Sequence, residues 1–136
     1  MTDRFRAAID GGSRGNPGQA AWAVAVLDDD GECAEGHSGR IGTATNNVAE
    51  YHGLLQALEI AAERGAADVE ILADSELVVR QILGRYRVKH PDLKPLHAQA
   101  IERIGRFRTF RIRHVPRDQN RHADRLVNTA LDSDPS

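Results

Sequence analysis

Phe5-Arg-Ala-Ala-Ile-Asp10-Gly-Gly-Ser-Arg-Gly-Asn-Pro-Gly18 joins a strand-forming run to a stretch dense in glycine. Phe5, Ala7 and Ile9 alternate with Ala8 and Asp10, the period of two expected of a half-buried β-strand. The strand therefore carries a carboxylate, Asp10, at its C-terminal end. Residues 11–18 read as a loop, because glycine and proline at that density punctuate regular structure. A second strand follows over residues 20–27. Asp28-Asp-Asp-Gly31 reads as a hairpin turn into a third strand over about 32–41.

Further along, Asn46 or Asn47 caps a helix that runs to about residue 64 and stops at Gly65. The spacing then predicts a strand at 69–73 and a helix at 75–83. A basic connector follows at 84–95, then a helix at 96–107, a strand at 108–115 and a helix at 120–131. The order β-β-β-α-β-α-α-β-α predicts an α/β fold, a mixed sheet with helices packed on its faces. One domain over residues 1–136 is expected, with its core at about 4–131 and a frayed tail at 132–136.

Four carboxylates fall where apolar segments end or turn. Asp10 and Asp74 close strands, the edge at which open α/β sheets place ligand sites. Glu50 shares a helical stripe with Leu54, Ala57, Leu58 and Ala61, so it faces the sheet and not water. Asp124 has Val127 and Leu131 three and seven residues on, beside another buried face. Singly, each has an ordinary reading as a turn former, helix cap, dipole partner or surface ion pair. Together they point to one cluster, which would hold a divalent cation, Mg²⁺ or Mn²⁺.

Net charge is only −2, but its distribution is uneven. Residues 80–125 hold 13 of the 18 Lys+Arg against four acids, while the rest of the chain has 5 basic and 16 acidic residues. A basic half beside an acidic half suits a metal site next to a phosphate track. The single cysteine, Cys33, excludes an internal disulfide and a multi-cysteine zinc site. The start of the chain lacks the apolar segment of a secretory signal, and no apolar run approaches the roughly 20 residues that span a bilayer. A cytoplasmic protein with no membrane association is expected.

Asp10-Gly-Gly-Ser-Arg-Gly-Asn-Pro-Gly18, Thr45-Asn-Asn-Val-Ala-Glu50, Asp74-Ser75 and Asn120-Arg-His-Ala-Asp124 resemble, in order and spacing, the type 1 ribonuclease H family. The resemblance covers about residues 5–131. It implies a ribonuclease H-like fold: a five-stranded mixed sheet, its first three strands antiparallel, with helices on both faces. It also implies two Mg²⁺ (or Mn²⁺) ions held by Asp10, Glu50, Asp74 and Asp124. The reaction implied is endonucleolytic cleavage of the RNA strand of an RNA–DNA hybrid, leaving 3′-hydroxyl and 5′-phosphate ends, with double-stranded RNA a further candidate substrate. Gly11, Gly12, Ser13, Arg14, Asn16, Asn46, Asn47, Ser75 and Asn120 are the substrate-binding residues carried over, and the protein is expected to be a monomer.

Two features depart from the family pattern. No separate loop histidine precedes the last helix. His114 reads as a strand-end residue, and Arg117 is the candidate to fill the loop role in proton transfer; His122 points away from Asp124 around the helix. The basic, aromatic-rich protrusion of some relatives is expected to be absent, so hybrid binding would rest on Arg80, Arg85, Arg87, Lys89 and Lys94. Two other readings use the same residues. One is a non-catalytic nucleic-acid-binding module; the other is a DNA strand-transfer or exonuclease domain of the wider superfamily.

Overall fold

The computed structural model describes residues 4–133. The strands are β1 (Arg4–Gly15), β2 (Gly18–Leu27), β3 (Cys33–Ala44), β4 (Asp68–Ala73) and β5 (Thr109–His114). The helices are α1 (Asn46–Glu63), α2 (Glu76–Ile82), α3 (Lys94–Ile104) and α4 (Arg121–Asp132), the last preceded by a short 3₁₀ turn at Arg117–Gln119. The five strands form one sheet in the order β3-β2-β1-β4-β5. β1, β2 and β3 are antiparallel, whereas β1–β4 and β4–β5 are parallel. Helices cover both faces, as expected for this fold class.

Alternation along β1 builds the two layers. Ala7 and Ile9 join Val24, Tyr51, Leu54, Leu58 and Ile71 in the main core beneath α1. Ala8 faces the other way, toward Ala123 of α4. The β2 residues on that second face are Ala21, Ala23 and Ala25, short enough for Val127 and Ala130 of α4 to lie close against the sheet.

The glycine-rich stretch is not a loop over most of its length. β1 continues through it, pairing Gly11 with Trp22, Gly12 with Ala21, Ser13 with Ala20 and Gly15 with Gly18. Only Asn16 and Pro17 turn, with Gly15 at a φ of 97° that glycine alone adopts without strain. Gly11, by contrast, serves packing. A Cβ on Gly11 would lie 2.2 Å from the carbonyl carbon of Ala49, and one on Gly53 would lie 2.8 Å from the carbonyl oxygen of Asp10. Helix α1 thus rests backbone to backbone on the end of β1, a use of strand glycine that composition alone does not separate from a turn.

Other boundaries shift for local reasons. Thr45, and neither Asn46 nor Asn47, caps α1, its Oγ1 accepting from the Val48 amide at 3.2 Å. Ser75 caps α2 in the same way through Val78. Helix α3 starts earlier than expected because Pro95 fits its first turn, where no amide donor is needed. No helix lies between α2 and α3, consistent with a chain lacking the protrusion. Residues 132 and 133, expected to belong to a frayed tail, are fixed instead: Asp132 ends α4, and the Ser133 carbonyl accepts from Arg40 Nη1 at 2.7 Å. Residues 134–136 lie outside the described residues. No described helix is long and apolar enough to cross a membrane.

The packing at Gly11 has a direct test. Gly11→Ala should destabilise the fold by about 3 kcal/mol, because backbone atoms cannot yield as a flexible side chain does. Gly12→Ala, whose new methyl would meet Val127 Cγ1 at an ordinary 3.5 Å, should change stability by less than about 1 kcal/mol. Urea unfolding of the two variants measures the contrast.

Candidate active site

Three of the four sequence-predicted carboxylates come together. One oxygen from each of Asp10, Glu50 and Asp74 lies within 4.8 Å of the others. Parallel pairing brings Asp10 and Asp74 side by side, since Ile9 and Ala73 form the last rung between β1 and β4. Glu50 comes over them because α1 crosses β1 at Gly11. Asp10 and Glu50 are only 6% and 7% exposed. The Gly11 amide donates to Asp10 Oδ1 at 2.9 Å, whereas Glu50 Oε2 is buried with no hydrogen-bond partner among the described residues.

The electrostatics follow from this crowding. Burial, then the negative charges of Asp74 and Asp124, pushes the Asp10 carboxyl up to about 7. Burial also raises Glu50 well above the usual carboxylate range, reinforced by Asp10 and Asp74. Asp74 is raised by burial too, but the Asn120 amide and the charges of Arg117 and His114 oppose that rise. An all-oxygen donor set with an unpaired buried oxygen fits a hard divalent cation such as Mg²⁺ or Mn²⁺.

Asp124 stands at the rim of this trio. It lies in the first turn of α4, its Oδ1 3.6 Å from Arg117 Nη2, and it is half-buried. It lines the same cleft as the other three, about 470 Å³ in volume. Gly11, Gly12, Ser13, Arg14, Asn46, Asn47, Ser75 and Arg117 also line it. Sequence reasoning missed Val127, Asn128 and Leu131 of the cleft wall. The helical repeat that ties Asp124 to Val127, Asn128 and Leu131 was the available signal; Asn128 Nδ2 donates to the Asp124 carbonyl at 3.1 Å.

The expected substrate-binding residues divide by their bonding. Asn46 Oδ1 accepts from the Ser13 amide at 2.8 Å, and Asn16 Oδ1 accepts from the Asn46 amide at 3.1 Å. These bonds fix both amide orientations and leave the side-chain nitrogens without an intramolecular partner among the described residues. Asn16 and Asn47 also face a second cleft of about 320 Å³ with Arg87, Lys89 and His90. Arg14 is ion-paired with Asp132 and reaches the Leu131 carbonyl at 3.4 Å, so it holds the end of α4 against the hairpin.

Asn120 requires a correction. Expected to touch substrate, it is 1% exposed and lies beneath the site. Its Nδ2 donates to the Ile9 carbonyl at 2.8 Å and to Asp74 Oδ2 at 3.2 Å. His114 is exposed at the end of β5, opposite Ala73. His122 Nε2 lies 3.8 Å from Glu32 Oε2 on the far side of α4. Of the connector cations, Arg80 pairs with Glu76 at 2.7 Å and stacks over Tyr86.

This chain matches the reverse transcriptase-like family over residues 8–130. It is 48% identical over 125 residues to a bifunctional protein of Mycobacterium tuberculosis, which covers 91% of this chain and 34% of that one. The chain therefore spans about a third of that relative's length. Among solved structures, ribonuclease H1 of the halophilic archaeon Halobacterium salinarum superposes with a TM-score of 0.89 at 44% identity, over 95% of this chain and 98% of that one. LC11 ribonuclease H1, solved in complex with an RNA/DNA hybrid, superposes with a TM-score of 0.88 at 41% identity, over 94% and 96% of the two chains. The chain belongs to the type 1 ribonuclease H family.

The crowded carboxylates make stability depend on pH. Asp10 loses its proton near its ordinary 3.8 in the unfolded chain but near 7 in the folded one. Between those values the folded state binds more protons, so the cluster weakens the metal-free fold as pH rises. In EDTA, Asp10→Asn should therefore melt above the parent protein. The gap should open between about pH 4 and pH 7 to roughly 1–3 kcal/mol. Thermal melts across that range check both sign and window; a gap that stays flat with pH would contradict the assignment.

Proposed function

We propose that this protein is a metal-dependent endonuclease that hydrolyses the RNA strand of RNA–DNA hybrids, leaving 3′-hydroxyl and 5′-phosphate ends. The observation that carries the reading is the trio of buried Asp10 and Glu50 with half-buried Asp74, with an unpaired Glu50 oxygen, at the floor of a cleft rimmed by Asp124 and amide donors. A family relative crystallised with an RNA/DNA hybrid supports the substrate class.

The four carboxylates would hold two divalent ions, Mg²⁺ or Mn²⁺, with Asp10 central, as the family resemblance implies. Such ions, when bound, supply a more acidic water and offset the negative charge gathering on the phosphorus oxygens in the transition state. The protein's own residues do the positioning. The Gly11, Gly12 and Ser13 segment lines the cleft, where its backbone would meet the substrate. The free amide nitrogens of Asn16 and Asn46, with Asn47 beside them, are suited to the minor groove, where the 2′-hydroxyl distinguishes RNA from DNA. Arg87 and Lys89 in the adjoining cleft would take phosphates.

Arg117 is the loop group at the rim. Its side chain is 83% exposed and aimed at Asp124, so it can swing between that carboxylate and a substrate phosphate. His114, the other candidate, sits at a strand end and acts on Asp74 only through its charge. Arg117→Ala should lower kcat by about 100-fold, the effect of losing one charge-stabilising donor. His114→Ala should stay within roughly threefold, as for a residue outside the transition-state contacts.

Cleavage assays with RNA–DNA hybrid, duplex RNA and duplex DNA, each in Mg²⁺ and in Mn²⁺, test the reading directly. Hybrid cutting should require metal and vanish in Asp10→Asn. Replacing the ribonucleotides around the cut site with deoxyribonucleotides should abolish it. A pure protein that binds hybrid but never cuts in either metal would instead be a binding module, and one indifferent to the deoxy replacement would be a DNA nuclease.

A further inference from the structure

Asp10 and Asp74 follow directly on the last rung of the β1–β4 ladder, Ile9 with Ala73, where sheet hydrogen bonding no longer fixes their spacing. Asn120 occupies that gap. Both hydrogens of its side-chain amide are used, one on the Ile9 carbonyl at 2.8 Å and one on Asp74 Oδ2 at 3.2 Å. The main-chain carbonyl of Asn120 accepts from the Asp124 amide at 3.1 Å, the first bond of α4. One buried side chain therefore joins the residue before Asp10 to the carboxylate of Asp74, while the main chain of the same residue opens the helix that carries Asp124.

The same side chain carries an anomaly. Asn120 Oδ1 is buried without a hydrogen-bond partner among the described residues, a state that is costly and that a residue kept only for packing avoids. Rotating the amide would satisfy nothing, since it would set Oδ1 against two acceptors. Serine could supply one donor and aspartate none. Only a short primary amide supplies two donors at this reach.

We infer that Asn120 is the positioning residue of the acidic cluster: it locks the Asp74 carboxylate to the end of β1 and sets its separation from Asp10. This rests on the reading of the cluster as the catalytic site. Asn120 reaches no substrate and acts through Asp74 alone.

Two measurements test it. Calorimetric titration of Mn²⁺ into the protein without nucleic acid should show Asn120→Ala binding the ion roughly 10–100-fold more weakly than the parent, the loss that follows when the partner of a ligating carboxylate is removed. In hybrid cleavage the same variant should lose kcat by a comparable factor, with KM held within about twofold, because no substrate contact is removed. In an Asp74→Asn background, adding Asn120→Ala should produce no further loss of either quantity. Unchanged Mn²⁺ affinity in a folded Asn120→Ala, or losses that simply add in the double variant, would overturn the assignment.

Should Asn120→Ala fail to fold, the unmodified side chain still answers. The Asn120 side-chain NH₂ resonances of the ¹⁵N-labelled parent protein should shift on adding Mg²⁺ and again in Asp74→Asn. Resonances that ignore both would refute the proposal. These readouts need no cleavage, so a protein that binds Mg²⁺ through this network but cuts no hybrid would defeat the proposed function and leave the positioning role standing.

Discussion

The contact on which the rest depends is the backbone-to-backbone crossing of α1 over the end of β1. Gly11 and Gly53 remove the two methyl groups that would hold the segments apart. The approach they permit brings Glu50, on the buried stripe of α1, above Asp10, at the edge of the sheet. Both carboxyl groups are thereby shut away from water, although each alone is a residue that solvation would keep outside. The main core, with Tyr51, Leu54 and Leu58 of α1 packed on Ile9, Val24 and Ile71, supplies the apolar burial that opposes this repulsion.

The repulsion is graded across the site. Asp10 has the Gly11 amide and a hydrogen bond with Glu50 to set against its burial, whereas Glu50 has little besides the Gly11 amide. Asp74 has the Asn120 amide and the nearby charges of Arg117 and His114. Asp124 stays half-buried at the rim beside Arg117. A site of this kind has its deepest and least compensated negative charge at Asp10 and Glu50 and opens toward cationic side chains at its mouth. That gradient suits a divalent cation on the floor and a polyanion above it.

The cleft walls hold themselves in place. Ser13, Asn46 and Asn16 form a chain of hydrogen bonds that ties the β1–β2 hairpin to the start of α1. Arg14 and Arg40 hold the C-terminal end of α4 through Asp132 and the Ser133 carbonyl. Residues that look like ligand binders in sequence thus do structural work with one atom and present another outward. The asparagines accept from backbone amides through oxygen and keep nitrogen free, so a single side chain serves both purposes.

The linear pattern alone determined the element order, the alternation of β1, the apolar stripe of α1 and therefore the direction in which Glu50 points, because two- and 3.6-residue periods are local properties of the chain. It marked all four carboxylates and left the roles of Asn120, Arg14 and the glycines open. The glycine stretch read as a loop because glycine density reports only the absence of side chains; whether that absence serves a turn or a helix packed overhead depends on residues some forty positions away. Asn120 read as a substrate ligand for the same reason, since its partners, Ile9 and Asp74, are remote in sequence. Tertiary structure decided which carboxylates share a floor and which stands at the rim. Distances between segments are set by the packing of the whole sheet, and no local period encodes them.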